Sequence, residues 1–165
     1  MSLSQQLQQE LNRLSAQGPI VGCSLVFAEA SDLLEVDLAA LDTMSCAMNE
    51  LRLTLPRLQN GTNDDIKHWA DDLSRRITYL LEQIGPIEFD DQSGSAMIRS
   101  NQPTQLPSGA VYYEFVLQSA SKNAVTINRY EIVKGQPGRK LVTLQLTHEV
   151  LVKLVNDLLE TCPVP

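Results

Sequence analysis

Past Gly85-Pro86 the spacing of the apolar residues changes, and this change constrains the chain more than any other feature. Ahead of it, apolar side chains recur every three or four positions, the period of a helix that buries one stripe. Beyond it they alternate, the period of a strand that buries one face. A chain of 165 residues has the length of a single domain. Residues 1–85 then form a mainly helical part, and 86–165 a sheet with a closing helix. The links between the strands are too short to hold crossover helices, so neighbouring strands run antiparallel. The sequence predicts an α+β fold: an antiparallel meander of about four to six strands, packed on one face by an N-terminal helical hairpin and a C-terminal helix.

Along the first half, Leu3, Leu7, Leu11 and Leu14 make one narrow helical stripe. Ser2 and Gln5 stand where a capping box puts them, and Gly18-Pro19 stops the helix. Residues 20–28, IVGCSLVFA, are a short apolar run that periodicity alone does not assign. Its brevity and Gly22 favour a strand. Asp32 and Glu35 open a second helix over about residues 33–54. One of its stripes is Leu34, Leu38, Leu41 and Met48; the other includes Leu33, Ala40, Met44, Ala47 and Leu51. Pro56 bounds it. A third helix covers about residues 64–84, capped by Asn63 and ended by Gly85-Pro86. Its apolar face runs from Ile66 and Trp69 to Leu81 and Ile84, and Asp71–Arg75 and Asp72–Arg76 are its ion pairs. The short link between these two helices makes them an antiparallel hairpin.

In the second half, Ile87–Asp91 and Ala96–Ser100 read as a β-hairpin around Gln92-Ser93-Gly94. Residues 101–108 form a proline-bearing loop. Ala110–Gln118, Ala124–Val133 and Lys140–Leu146 are three more strands, linked through Ser119–Asn123 and Lys134–Arg139. Thr147 caps a last helix, His148–Glu160.

Composition narrows the function classes. Hydrophobic residues make up 43% and charged residues 20% of the chain, enough apolar material for a core without disulfides. The net charge of −7 opposes binding to phosphate backbones and to anionic membrane surfaces. Neither nucleic acid nor a membrane is therefore an expected partner. Three cysteines, Cys23, Cys46 and Cys162, form no CxxC and no disulfide pattern. The first two read as small buried hydrophobes and Cys162 as an exposed terminal thiol. The polar N-terminus lacks a basic stretch before an apolar run, which fits a reducing, cytoplasmic location.

No motif signals catalysis. His68 and His148 have no second ligand at zinc spacing and read as surface residues. The pairs Asp64-Asp65, Asp71-Asp72 and Asp90-Asp91 are accounted for by a helix start, ion pairs and a solvated turn. GxSxG, the P-loop and GxGxxG are all missing. No cofactor, metal site or catalytic residue is expected.

Two features remain. Lys134, Arg139 and Lys140 form the one local basic cluster, at a hairpin tip. Tyr113, Phe115 and Leu117 share one sheet face, and Tyr112, Glu114 and Val116 the other. Tyr112, Val116 and Leu141, set among polar neighbours, make a half-apolar face of the kind that meets another protein. These six residues, Tyr112, Val116, Leu141, Lys134, Arg139 and Lys140, are the candidate partner-binding set. In size, charge and helix-plus-meander content the chain resembles the small acidic chaperones of bacterial secretion systems, although no motif carries the likeness. The expected function is a non-enzymatic protein-protein interaction or assembly module, self-associating as a homodimer. The alternative is a small-molecule-binding domain or enzyme with a pocket between sheet and helices, lined by Arg129, Tyr130 and Glu131.

Overall fold

A computed structural model describes residues 1–119 and 122–163. The elements are α1 (Leu3–Ser15), β1 (Ile20–Glu29), β2 (Asp32–Leu41), β3 (Ser45–Thr54), a 3-10 turn (Pro56–Asn60), α2 (Asn63–Arg76), β4 (Ile84–Asp90), β5 (Ser95–Ser100), β6 (Thr104–Leu106), β7 (Gly109–Gln118), β8 (Ala124–Val133), β9 (Lys140–Val142), β10 (Leu144–Thr147) and α3 (His148–Thr161). The fold is α+β, with all ten strands in one antiparallel sheet, more than the four to six expected. Its main path runs β1-β2-β3-β8-β7-β5-β4, so β8 comes back to lie beside β3. β10 also pairs with β3, at Ser45–Met48, leaving Leu51–Thr54 to β8.

The expected helix over residues 33–54, and with it the helical hairpin, is not there; the segment is the β2–β3 hairpin. The reason lies in two bulges. Register passes from Asp37↔Glu50 to Leu38↔Met48, which leaves Asn49 as an extra residue, and then to Ala40↔Ala47, which leaves Ala39 extra. Each bulge shifts the phase of the in-out alternation by one. Buried Leu38 and Leu41, and buried Met48 and Leu51, thereby end up three apart, a spacing that imitates a helix. Between the strands, Asp42 Oδ1 accepts the amides of Met44 at 2.9 Å and Ser45 at 2.8 Å, closing the turn.

α2 is shorter than predicted and ends at Arg76, with Ile77 extended. Its cap is Thr62, not Asn63, and Asp65 completes the capping box. Arg76 turns to α3, where its Nε donates to Asp157 at 2.8 Å and its terminal nitrogen meets Glu160. Arg75 pairs with Asp72. Neither expected i,i+4 pair forms, because Arg76 is drawn to the acceptors on α3 and Arg75 takes Asp72, three positions back. Residues 77–83 form an irregular link that bends at 80–82 and places Glu82 beside β8. Residues 140–146, expected as one strand, divide between β9 on β8 and β10 on β3. The loop over residues 101–108 contains β6 on β7. The link at residues 119–123 lies partly outside the described residues.

The N-terminal helix keeps its capping box from Ser2 and Gln5, and all four stripe leucines are buried. They join one apolar cluster with Leu34, Val36 and Leu38 of β2, Leu51 and Leu53 of β3, Phe115 and Leu117 of β7, and Leu151, Leu154 and Leu158 of α3. Trp69 anchors α2 in it, with its indole N–H donating to Thr161 Oγ1 at 3.0 Å. No helix among the described residues is long and apolar enough to cross a membrane.

Candidate functional site

Alternation along each strand sends every second side chain away from the core, onto the outer face of the sheet. Register makes these residues line up. Val26 faces Glu35 across β1–β2, Glu35 faces Arg52, Arg52 faces Thr126, Thr126 faces Val116, Val116 faces Met97, and Met97 faces Glu88. This row crosses all seven strands of the main path. At its β1–β3 end the face is hollow: a trough of about 590 Å³ is lined by Val26, Glu35, Asp37, Glu50, Arg52 and Leu141 among others. Three carboxylates and one guanidinium give it a negative balance. Val26 at 62% exposure and Leu141 at 49% are its apolar margins.

The next part of the outer face carries a buried carboxylate. Glu114 is 3% exposed, although its strand β7 sits on an open face. Arg99 Nε donates to Oε2 at 2.8 Å; from Arg139, Nη1 donates to Oε2 at 2.6 Å and Nη2 to Oε1 at 3.2 Å. Both guanidiniums lie against tyrosine rings, Arg99 at 5.3 Å from Tyr112 and Arg139 at 3.7 Å from Tyr130. Burial pushes the Glu114 carboxyl up, but the hydrogen bonds from Arg139 and Arg99 outweigh it and hold the group below its ordinary range. The same bond to Glu114 raises Arg139. A carboxylate whose lone pairs are spent on two guanidiniums is a poor general base. The cluster is a charged lid over the sheet, with one positive charge in excess. Asn128 extends it towards the trough: its Nδ2 donates to Glu50 at 3.1 Å and to the carbonyl of the bulged Asn49 at 3.3 Å.

The six partner-binding candidates separate. Leu141 lines the trough and Val116, half-buried, stands in the cross-sheet row. Tyr112 is 6% exposed, covered by the two arginines, so the expectation of an exposed Tyr112 is corrected. Arg139 belongs to the Glu114 lid, Lys140 pairs with Glu131 at 3.4 Å, and Lys134 is exposed on the hairpin. The basic cluster is therefore dispersed, because strand alternation and two acidic acceptors draw its members apart.

Arg129, Tyr130 and Glu131 do not converge on a pocket. Arg129 lies on the helix-facing side, where its two terminal nitrogens bond the two oxygens of Glu82, each at 2.9 Å. Ser100 and Thr104 donate to the same carboxylate at 3.0 and 2.9 Å, and the guanidinium stacks 4.1 Å from the Tyr113 ring. Tyr130 points to the opposite face. His68 is exposed as expected, but His148 is 8% exposed, with Nε2 3.3 Å from the Ser45 carbonyl. Cys162, expected at the surface, is 5% exposed, and burial pushes its thiol up to about 11. Cys46 is likewise buried and pushed up to about 11.

The sequence reading missed Glu82, Arg99 and Glu114. Glu114, a carboxylate inside the run AVYYEFVLQ, carried a signal: a mid-strand charge amid apolar residues needs a cation. No protein-family model matches the chain, and neither a curated protein nor a solved structure is similar to it.

Proposed function

We propose that this protein is a non-enzymatic protein-protein interaction or assembly module that receives a protein segment on the outer face of its sheet. The observation that carries the reading is the trough of about 590 Å³ beside β9, with carboxylates on its floor and exposed Val26 and Leu141 at its margins. Its mixture of apolar rim and negative floor fits a partner segment with apolar and basic side chains. The Glu114 cluster beside it is spent on its two arginines and Glu50 accepts from Asn128, which favours docking over chemistry.

The test compares wild type with a Leu141→Lys, Val116→Lys double variant. Both lysines face solvent, so their long stems cover the neighbouring surface and the fold is retained. Proteins co-isolated from extract of the native cell by wild type are expected to be lost with the variant. A control substitution on α1, Gln9→Glu, keeps them. Equal capture by the double variant, at an unchanged melting temperature, overturns the reading.

A further inference from the structure

The path of the sheet ends in two edges, and they are built differently. β4 spans seven residues and carries the devices that discourage an added strand. Pro86 has no amide hydrogen, Ile87 is a bulge between Pro86↔Ile98 and Glu88↔Met97, and Glu88 and Asp90 are charged. β1 spans ten residues and carries almost none of these. From Ile20 to Ala28 it holds no charge and no proline. Gly22, at φ 69°, interrupts the pairing with β2 near its start. α1 hydrogen-bonds to it at its far end, where Gln6 Nε2 donates to the Ala28 carbonyl at 3.0 Å and the Leu3 amide donates to Glu29 at 3.1 Å. Val21 and Val26 on this strand are 86% and 62% exposed. An edge of this length, uncharged from Ile20 to Ala28, is a template for another strand.

We propose that β1 pairs antiparallel with β1 of a second copy of this chain across a two-fold axis, joining the two sheets. Two considerations select a second copy as the occupant. An isologous contact sets a surface against itself, so the surface must tolerate its own chemistry. A chain of net charge −7 repels its copy over most faces, and the run from Ile20 to Ala28 brings no charge of its own to the contact. Backbone hydrogen bonds between the strands supply the attraction, and Val21 and Val26 of each copy cover one another across the junction. The outer faces then become one surface, with the two troughs side by side. This deepens the interaction reading by naming one partner, and it rests on that reading only in treating the protein as an assembly module.

Sedimentation equilibrium of the full chain over a wide concentration range tests the pairing. The mass is expected to rise towards twice the 18.3 kDa of one chain. Amide exchange along β1 is expected to slow in step with it. A Ser24→Lys, Val26→Lys double variant sets each lysine opposite an acid of its own chain, Asp37 and Glu35, so the monomer keeps its fold. It brings four cations to the junction and raises the dimer dissociation constant at least about tenfold. Ile87→Lys on β4 leaves the dimer unchanged. A wild type that stays monomeric throughout overturns the proposal, as does a dimer that resists the β1 lysines or falls apart with Ile87→Lys. A monomeric wild type leaves face docking to be judged by Leu141→Lys, Val116→Lys, whose substitutions lie on β9 and β7.

Discussion

The strand pair β7–β8 carries a buried carboxylate on each of its faces, and the two are kept in opposite ways. On the helix-facing side, Glu82 and Arg129 form a one-to-one pair with side chains 3% and 8% exposed. Ser100 and Thr104 complete the carboxylate's bonds. On the outer side, the Glu114 side chain is 4% exposed but its partners Arg99 and Arg139 are 37% and 34% exposed. The first arrangement takes both ions out of water, so each depends wholly on the other. The second buries only the anion and leaves its cations half in solvent. A buried carboxylate thus tolerates either a sealed match or an excess of hydrated cover, and the two differ in what their loss costs.

The largest effect is expected at the sealed site. Glu82→Gln strands the Arg129 charge in the core and lowers unfolding free energy by about 3–5 kcal/mol, read by urea denaturation. A Glu82→Leu, Arg129→Met double variant recovers most of that loss, since the buried charge leaves with its partner. Glu114→Gln comes next, at about 1–2 kcal/mol, because both arginines turn to water when the anion goes. Equal losses for Glu82→Gln and Glu114→Gln would erase the distinction.

Acid sharpens it further. The folded carboxyl of Glu114 lies below its ordinary range, so its stabilising contribution is full above the unfolded value, about 4.3. As pH falls from there through the folded value, the contribution is lost. The stability gap between wild type and Glu114→Gln should therefore be constant near neutrality and close progressively below about pH 4. Denaturant titrations at a series of pH values measure it, and a gap that widens in acid contradicts the assignment. The smallest effect is Arg139→Lys, which keeps the charge but loses the fork and the stacking on Tyr130. About 0.5–1 kcal/mol is expected. Molar salt should shrink the cost of Glu114→Gln, whose arginines are half in solvent, and leave the cost of Glu82→Gln nearly as it was.

Elements whose burial follows one unbroken period could be read from the sequence. Leu3, Leu7, Leu11 and Leu14 gave α1 and Thr147 marked the start of α3, while the β-branched and aromatic run Ala110–Gln118 gave β7 even though Tyr112 and Glu114 on its outer side are buried too. β2 and β3 could not be read, because bulges at Ala39 and Asn49 broke the alternation into helix-like steps. The end of α2 was hidden for a different reason. Glu82 bonds a residue 47 positions away, and nothing near Gly85-Pro86 announces that partner. The outer face was half legible. Strand parity put Val116 and Leu141 on the outer face, where Leu141 is exposed and Val116 half-buried. It could not show that Arg99 and Arg139 would fold down over Tyr112, since that depends on where a hairpin tip and a neighbouring strand meet in space.

The divided partnership of β3 has a consequence for how the chain is made. Its Ser45–Met48 half waits for Leu144–Thr147, about a hundred residues further along. While the polypeptide emerges from the ribosome, that half has β2 on one side only, and its other edge stays open until nearly all of the sequence described here has been synthesised. A nascent chain halted before β10 would display this open edge together with β1, two places where a neighbouring chain could attach. Completion of the final strand and helix then acts as the step that withdraws one of them.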